Sequence, residues 1–413
     1  MHFELIHEWD LADFGEIACH FGDVDGDGRT EFIFPQAEDD PRRRSGTGGY
    51  NHEKTVSCLT CINLEGEILW QQGTPRPADD RKVHGERYGC MHDFRGHGKA
   101  DYLVTTMNAD KSAILLRRYN GATGELEAER ETGACYHMMP ADFSGKGHAS
   151  DILINNALWI HFAYDFDLNP IFEWVYLYGG GHTPAVGDVL GTGKDQLFAG
   201  VGAYHPEGPD RRIWWRPDLD DAMEEMGNCP HVDAVHLEPL DDPDNPALIW
   251  VGGKDVVCLD PKSGETRWRH QGEHIQWRQF GRFLPERNDR QIMISEKSPD
   301  GPTWLLAPDG EVLWEKTMGR GIFAPINGAG PENTDLLLDM TPVGGGFPRL
   351  INGRNETLDT FQFMGEVSAD AARGVKGDAG SGFHAYCDDF DGDGLRELLM
   401  FNRHRGVVAK IVP

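Results

Sequence analysis

The segment Phe21–Phe34, FGDVDGDGRTEFIF, sets Asp23, Asp25 and Asp27 at alternate positions, places Gly26 and Gly28 around them, and adds Glu31. Alternating carboxylates in a tight turn bring several hard oxygens to one point, a ligand set that suits Ca²⁺, and glycine allows the backbone angles such a turn needs. The pattern returns near the C-terminus as Asp389, Asp391, Asp393 and Glu397 in CDDFDGDGLRELLMF. Both sets read as structural Ca²⁺ sites. Three further segments keep the leading aspartate and the glycines but lose the alternating carboxylates: DFRGHGKADYLV from Asp93, DFSGKGHASDILI from Asp142 and DVLGTGKDQLFAG from Asp188. They are expected to make the same turn without metal, closed by lysine or by backbone contacts.

A second set of reactive side chains is tied to the same turns. His137, His384 and Tyr88 each stand five residues before the leading aspartate of their unit, His182 stands six before, and His231 lies near the same place in a looser copy. The longer connecting segments add Arg42, Arg43, Arg44, Tyr50, His52, His84, Arg87, Tyr204, His205, Arg211 and Arg212. Imidazole and phenol can carry protons, and guanidinium recognises carboxylates. An acidic chain that gathers these groups at one rim would bind an anion there. His137, His182 and His384 together would also suit a second, transition-metal site. Each taken alone also fits a hydrogen-bonded structural residue, and Arg42–Arg44 fits a solvated loop.

The elements that must position these groups follow from the repeats. Three weaker copies of the turn, LEPLDDPDNPALIWVGG, GRFLPERNDRQIMIS and PINGAGPENTDLLLD, bring the number of units to eight. Between the turns lie LEGEILW, YNGATGELEAE, LDPKSGETRW and APDGEVLW, each a strand, a Gly-containing hairpin turn and a second strand. Each unit therefore reads as strand A, acidic turn, strand B, loop, strand C, Gly turn, strand D. Such a spacing predicts an all-β, eight-bladed β-propeller, with seven blades as the alternative, forming a single domain over 1–413. The last unit lacks a strand D, and FELIHEWDL at the N-terminus can supply it, closing the ring by pairing the two terminal strands. The A–B and C–D turns share one face. The loops Pro35–Lys54, Gly73–Gly89, Gly200–Arg212, Thr341–Arg349 and Gly365–Gly382 are expected on the other, with the rim of His, Tyr and Arg. The tryptophans Trp159, Trp174, Trp214, Trp215 and Trp277 read mainly as packing between blades.

The 413 residues carry a formal net charge of −29, which argues against nucleic acid or an anionic membrane as partner. No run of about 18 apolar residues offers a membrane span. The N-terminus lacks the basic start and apolar core of a signal peptide, so the sequence as written is expected in the cytoplasm, or outside it if a leader has been removed. Cys58 and Cys61 form a CxxC inside an apparent strand with no second pair, so buried free thiols are expected in place of a zinc site.

DxDGDG turns spaced around a propeller with a rim of His, Tyr and Arg resemble the β-propeller polysaccharide lyases. That group includes the eight-bladed rhamnogalacturonan lyases and the seven-bladed ulvan and rhamnose–glucuronate lyases. The resemblance is one of architecture and implies β-elimination at a 4-linked uronate in an acidic oligo- or polysaccharide. Such chemistry needs a neutralised carboxylate, a base for the C5 proton and an acid for the leaving O4. His137 with Tyr88, and His182, are the expected base and acid; Arg87, Arg211 and Arg212 the carboxylate partners; His384, His84 and Tyr204 further substrate contacts. A monomer is expected. A calcium-stabilised binding propeller without catalysis is the competing reading, ahead of a hydrolase or epimerase.

Overall fold

The computed structural model describes residues 1–16, 18–39, 54–77, 88–155, 160–175, 181–207, 211–219, 232–298, 301–318, 323–342, 344–368 and 383–412. Their strands form eight sheets, in chain order 20–73, 89–132, 137–175, 185–215, 232–271, 275–317, 323–360 and 384–412 with 2–10. Within a sheet, strands A to D follow one another as an antiparallel meander. The eighth takes A to C from His384–Asp388, Glu397–Phe401 and Arg405–Val412, and its fourth strand from His2–Asp10. His2 stands opposite Val412 and Asp10 opposite Arg405, so the terminal strands pair as expected. The fold is an eight-bladed β-propeller. By contact density the chain divides into two compact units, one of 12–237 with 260–265, the other of 1–11, 238–259 and 266–413.

The burial of each strand follows its position in the sheet. Strand B of the second blade, Asp101–Met107, is buried at every residue, as a strand covered on both faces must be. Strand D of the same blade, Leu126–Thr132, is mostly exposed and rich in Glu and Arg, which blunts a sheet edge. The A strands of the first three blades adjoin one another in one unit, and those of the sixth, seventh and eighth adjoin in the other.

Four tryptophans fasten a strand D to the C–D turn that follows in the next blade. Trp70 donates its indole N–H to the Gly121 carbonyl (2.7 Å), Trp214 to Pro261 (2.8 Å), Trp268 to Pro308 (2.7 Å) and Trp314 to Gly353 (2.8 Å). The ring lies so close to the turn that a glycine is required beneath three of them. A Cβ at Gly124 would sit 2.5 Å from Trp70, and Gly124 also holds a positive φ of 70°. Trp214 is therefore a packing residue, as expected. A separate glycine contact is made at Gly89, whose Cβ would stand 2.5 Å from the Tyr102 hydroxyl and 2.7 Å from the His20 ring.

One loop lies on the other side from that expected. In the fourth blade, strand B (Gln196–Ala199) turns into strand C (Gly202–Tyr204) through Gly200 and Val201 alone. Tyr204 at the end of C then pairs with Arg212 at the start of D (Arg212–Trp215), so the C–D connection falls on the same side as the acidic turn, and Lys194 of that turn reaches Glu207 (3.9 Å). The segment 200–212 is thus not one B–C loop. Gly200 takes a φ of 58°, which lets the B–C turn close in two residues.

Replacing Gly124 by Ala forces both an unfavourable left-handed φ and an overlap with the Trp70 ring. The expected loss is about 2–4 kcal/mol of stability, read as a lower denaturant midpoint, whereas Trp70→Phe loses about 1 kcal/mol through the one hydrogen bond.

Candidate functional site

The acidic turns share one backbone scheme, whether or not they keep their carboxylates. Asp23 accepts the Gly26 and Gly28 amides (2.6 and 2.9 Å), and Asp389 accepts Gly394 (2.9 Å). Asp93, Asp142 and Asp188 accept the corresponding Gly98, Gly147 and Gly193 amides, each at 2.6 Å. Backbone amides therefore close the turns that lack the alternating acids. Both glycines of every such turn have φ between 67° and 87°. A buried acid or amide at the start of strand B completes the scheme from below. Glu31 accepts Val24 N–H (2.9 Å), Asp151 accepts Ser144 (2.7 Å), Gln196 accepts Leu190 (3.1 Å), Gln291 accepts Phe283 (2.8 Å) and Glu397 accepts Phe390 (2.8 Å).

Among the described residues, two groups of carboxylates come close enough to hold one metal ion: Asp23, Asp25 and Asp27; and Asp389, Asp391 and Glu397. The first group fits Ca²⁺. Its oxygens lie within 4.8 Å of one another, and all are hard ligands. Burial, followed by the repulsion of Asp25, Asp27 and Asp23, raises the Glu31 carboxyl to about 7. The second group fits less simply. The Lys410 ammonium stands 2.9 Å from Asp391, 2.5 Å from Asp393 and 3.6 Å from Glu397.

Tyr88, Tyr136, His137, His182 and His384 lie at the opposite end of the A strands, whereas Tyr204 ends strand C on the acidic-turn side. In the unit of 12–237, the Tyr136 hydroxyl and His182 Nδ1 are 2.8 Å apart. Buried Asn155, at the end of strand B of the third blade, holds both flanks of this pair. Its side chain accepts the His137 amide (3.1 Å) and donates to the His182 carbonyl (3.2 Å), and its own carbonyl accepts Tyr136 N–H (3.0 Å). His182 owes its place to Pro184. Lacking an N–H, proline interrupts the ladder, so Gly181–Thr183 leaves its blade and pairs in parallel with Val232–Glu238, while Ala185–Gly187 resumes as strand A. His137 opens strand A of the third blade beside Tyr136.

Tyr88 belongs to a second cluster of the same unit. It is 2 % exposed and donates its hydroxyl to the Pro35 carbonyl (3.0 Å). The His20 ring lies against it, and His20 Nδ1 meets the Tyr102 hydroxyl at 3.1 Å. Burial, and then Tyr88, raises the Tyr102 phenol well above its ordinary value. Tyr204 is buried in the core of the fourth blade. Arg211 and Arg212 are exposed on the acidic-turn side, with Arg212 over the Trp215 ring at 5.4 Å. In the unit that contains it, His384 packs on Phe401 (5.4 Å), and burial, then the Arg403 charge, lowers it to about 4. At the same end of that unit's sheets, fully buried Asp339 takes a two-pronged bond from Arg349 (2.5 and 3.2 Å). His84, Arg87, Arg42–Arg44, Tyr50, His52 and His231 lie outside the described residues.

No family model matches the chain, and no curated protein is similar to it in sequence. Solved structures are similar in fold. The exotype rhamnogalacturonan lyase YesX superposes with a TM-score of 0.67 at 18 % identity over 98 % of this chain and 75 % of its own. The Bacillus licheniformis rhamnogalacturonan lyase PL11 gives 0.64 at 16 %, over 95 % and 71 %. The V. cholerae biofilm matrix protein Bap1 gives 0.59 at 12 %, over 100 % and 91 %. At these identities the likeness is one of fold.

Buried His161 and half-buried His384, both lowered to about 4 chiefly by desolvation, are neutral in the fold but protonate in the unfolded chain near 6.5. Their contribution is therefore present above pH 6.5 and is lost as pH falls through 4. His161→Gln should remove that loss, so the stability difference between wild type and variant should change by up to about 3 kcal/mol between pH 7 and 4, read from melting temperatures, and a difference that does not vary with pH contradicts the assignment.

Proposed function

We propose that this protein is a polysaccharide lyase that cleaves a rhamnose- and uronate-rich acidic glycan by β-elimination. The observation that carries the proposal is the fold likeness to rhamnogalacturonan lyases, which extends over 95 % or more of the chain. The Tyr136–His182 contact at 2.8 Å supports it, because an imidazole and a phenol in hydrogen-bond contact supply the base and acid the reaction needs. In this reading His182 takes the proton from C5 of the uronate. The C5–H electrons form the C4=C5 double bond, the C4–O4 bond breaks, and Tyr136 protonates the departing O4. The pair then regains its starting state by exchange with solvent.

His137, one residue from Tyr136, is the second candidate for the base. Tyr88 fits a structural role better, because its hydroxyl is bound to Pro35. Arg87 remains the candidate for neutralising the uronate carboxylate. Arg211 and Arg212 fit this role less well, since they stand at the acidic-turn end of the fourth blade. Ca²⁺ in the Asp23 turn is assigned a structural role, where it would hold Asp23, Asp25 and Asp27 together against their mutual repulsion. The second reading, a binding propeller without catalysis, is favoured by the comparable likeness to Bap1.

The deciding experiment incubates the protein with rhamnogalacturonan and other uronate polysaccharides and oligosaccharides and follows the ultraviolet absorbance of a 4,5-unsaturated product. Absorbance should appear. His182→Ala should lower kcat/KM about 10²–10⁴-fold and Tyr136→Phe about 10²-fold with the fold intact. Binding to the same glycans without new absorbance supports the second reading instead. Independently, chelator should lower the melting temperature of the wild type and leave that of Asp25→Asn/Asp27→Asn unchanged.

A further inference from the structure

We infer that the last acidic turn is filled by the chain's own Lys410, so that two turns of nearly the same sequence carry different cations. The Asp389 turn repeats the Asp23 turn at every carboxylate, with Asp389, Asp391, Asp393 and Glu397 in place of Asp23, Asp25, Asp27 and Glu31. From sequence both should take the same ion. The difference comes from the neighbouring strand. Lys410 stands directly opposite Glu397 in the ladder, and from there its ammonium reaches Asp391 (2.9 Å), Asp393 (2.5 Å) and Glu397 (3.6 Å). Around the first turn, Arg29 turns away to Glu65, and among the described residues no Lys or Arg nitrogen pairs with Asp23, Asp25 or Asp27.

The reason a lysine can stand at that position lies in the topology. In the first, second, third and fifth blades, whose strand C runs on into a C–D hairpin, the residue just past strand C caps the hairpin with its side chain. Asn63 accepts Glu67 N–H (2.8 Å), Asn120 accepts Ala122 (3.1 Å), Asp165 accepts Asn169 (2.8 Å) and Asp260 accepts Lys262 (3.0 Å). The eighth blade has no such hairpin, because its fourth strand arrives from the N-terminus. The position is therefore released from capping, the strand continues to Val412, and a long cationic side chain fits. A compact ammonium and a divalent cation cannot use the same oxygens at once, since they would repel at contact distance. Lys410 thus excludes metal from the last turn. It also ties strand C, which pairs with the N-terminal strand, to the turn beside it.

Ca²⁺ stoichiometry tests the inference without reference to activity, by native mass spectrometry or calorimetric titration of the full chain with Ca²⁺ alone. Lys410→Gln should bind one Ca²⁺ more than the wild type. Asp23→Asn/Asp25→Asn, which leaves Lys410 in place, should bind none. An unchanged stoichiometry in Lys410→Gln overturns the inference, as does an ion retained by Asp23→Asn/Asp25→Asn. Should Lys410→Gln fail to fold, the aspartate double variant still decides. If the first turn takes no Ca²⁺ either, the wild type binds none, and a single ion gained by Lys410→Gln still supports the role of Lys410.

Discussion

The structure depends on one recurring polar contact: the leading aspartate of each acidic turn accepting the amide five residues later. That bond fixes two glycines at positive φ and aims strand B back along strand A. Because it involves only one side chain and the backbone, it survives where the alternating carboxylates are gone. The metal-ligand pattern is thus an addition to a turn that forms without it. The buried acid or amide at the start of strand B serves the same end from beneath. A buried N–H left without an acceptor would cost about 1–3 kcal/mol, so the position stays polar in an otherwise apolar strand.

Packing between blades uses a different device. The indole N–H of a strand D reaches the carbonyl of the next C–D turn, and the ring covers a glycine of that turn in three of four cases. The result is a direction: in these four blades the outer strand is locked by the blade that follows it in sequence. Buried His161, Asn155 and Asp339 lie at or near the other end of the strands, where polar groups are gathered inside the sheets. This fits a scaffold whose far end is free to carry chemistry.

Much of the fold was legible because its punctuation is local. The Asp–Gly turns and the Gly hairpins each lie within about a dozen residues, and their alternation gives the blade count and the need for a borrowed strand. What was not legible depends on distant partners. His182 was found by its offset, but its departure from its blade depends on Pro184 and on a strand some fifty residues later. Tyr136 was passed over beside His137, although it stands six residues before Asp142 just as His182 stands six before Asp188. Arg211 and Arg212 were placed at the wrong end because a two-residue B–C turn through Gly200 was read as part of a long loop. Nothing in the segment GVVAKIVP marks Lys410 as the partner of carboxylates that precede it.

The pairing of His2–Asp10 with Arg405–Val412 joins residues almost the full chain length apart. During synthesis strand His2–Asp10 is made long before Arg405–Val412, so at first its partner does not exist. Until it does, strand His2–Asp10 has no sheet, and its hydrogen-bonding edge is open to solvent or to another chain. Completion of the eighth sheet therefore waits until Arg405–Val412 has been made, and at a typical 5–20 residues per second the delay is on the order of tens of seconds. The exposed face of that strand carries His2, Glu4 and Glu8, polar groups that discourage a waiting edge from aggregating.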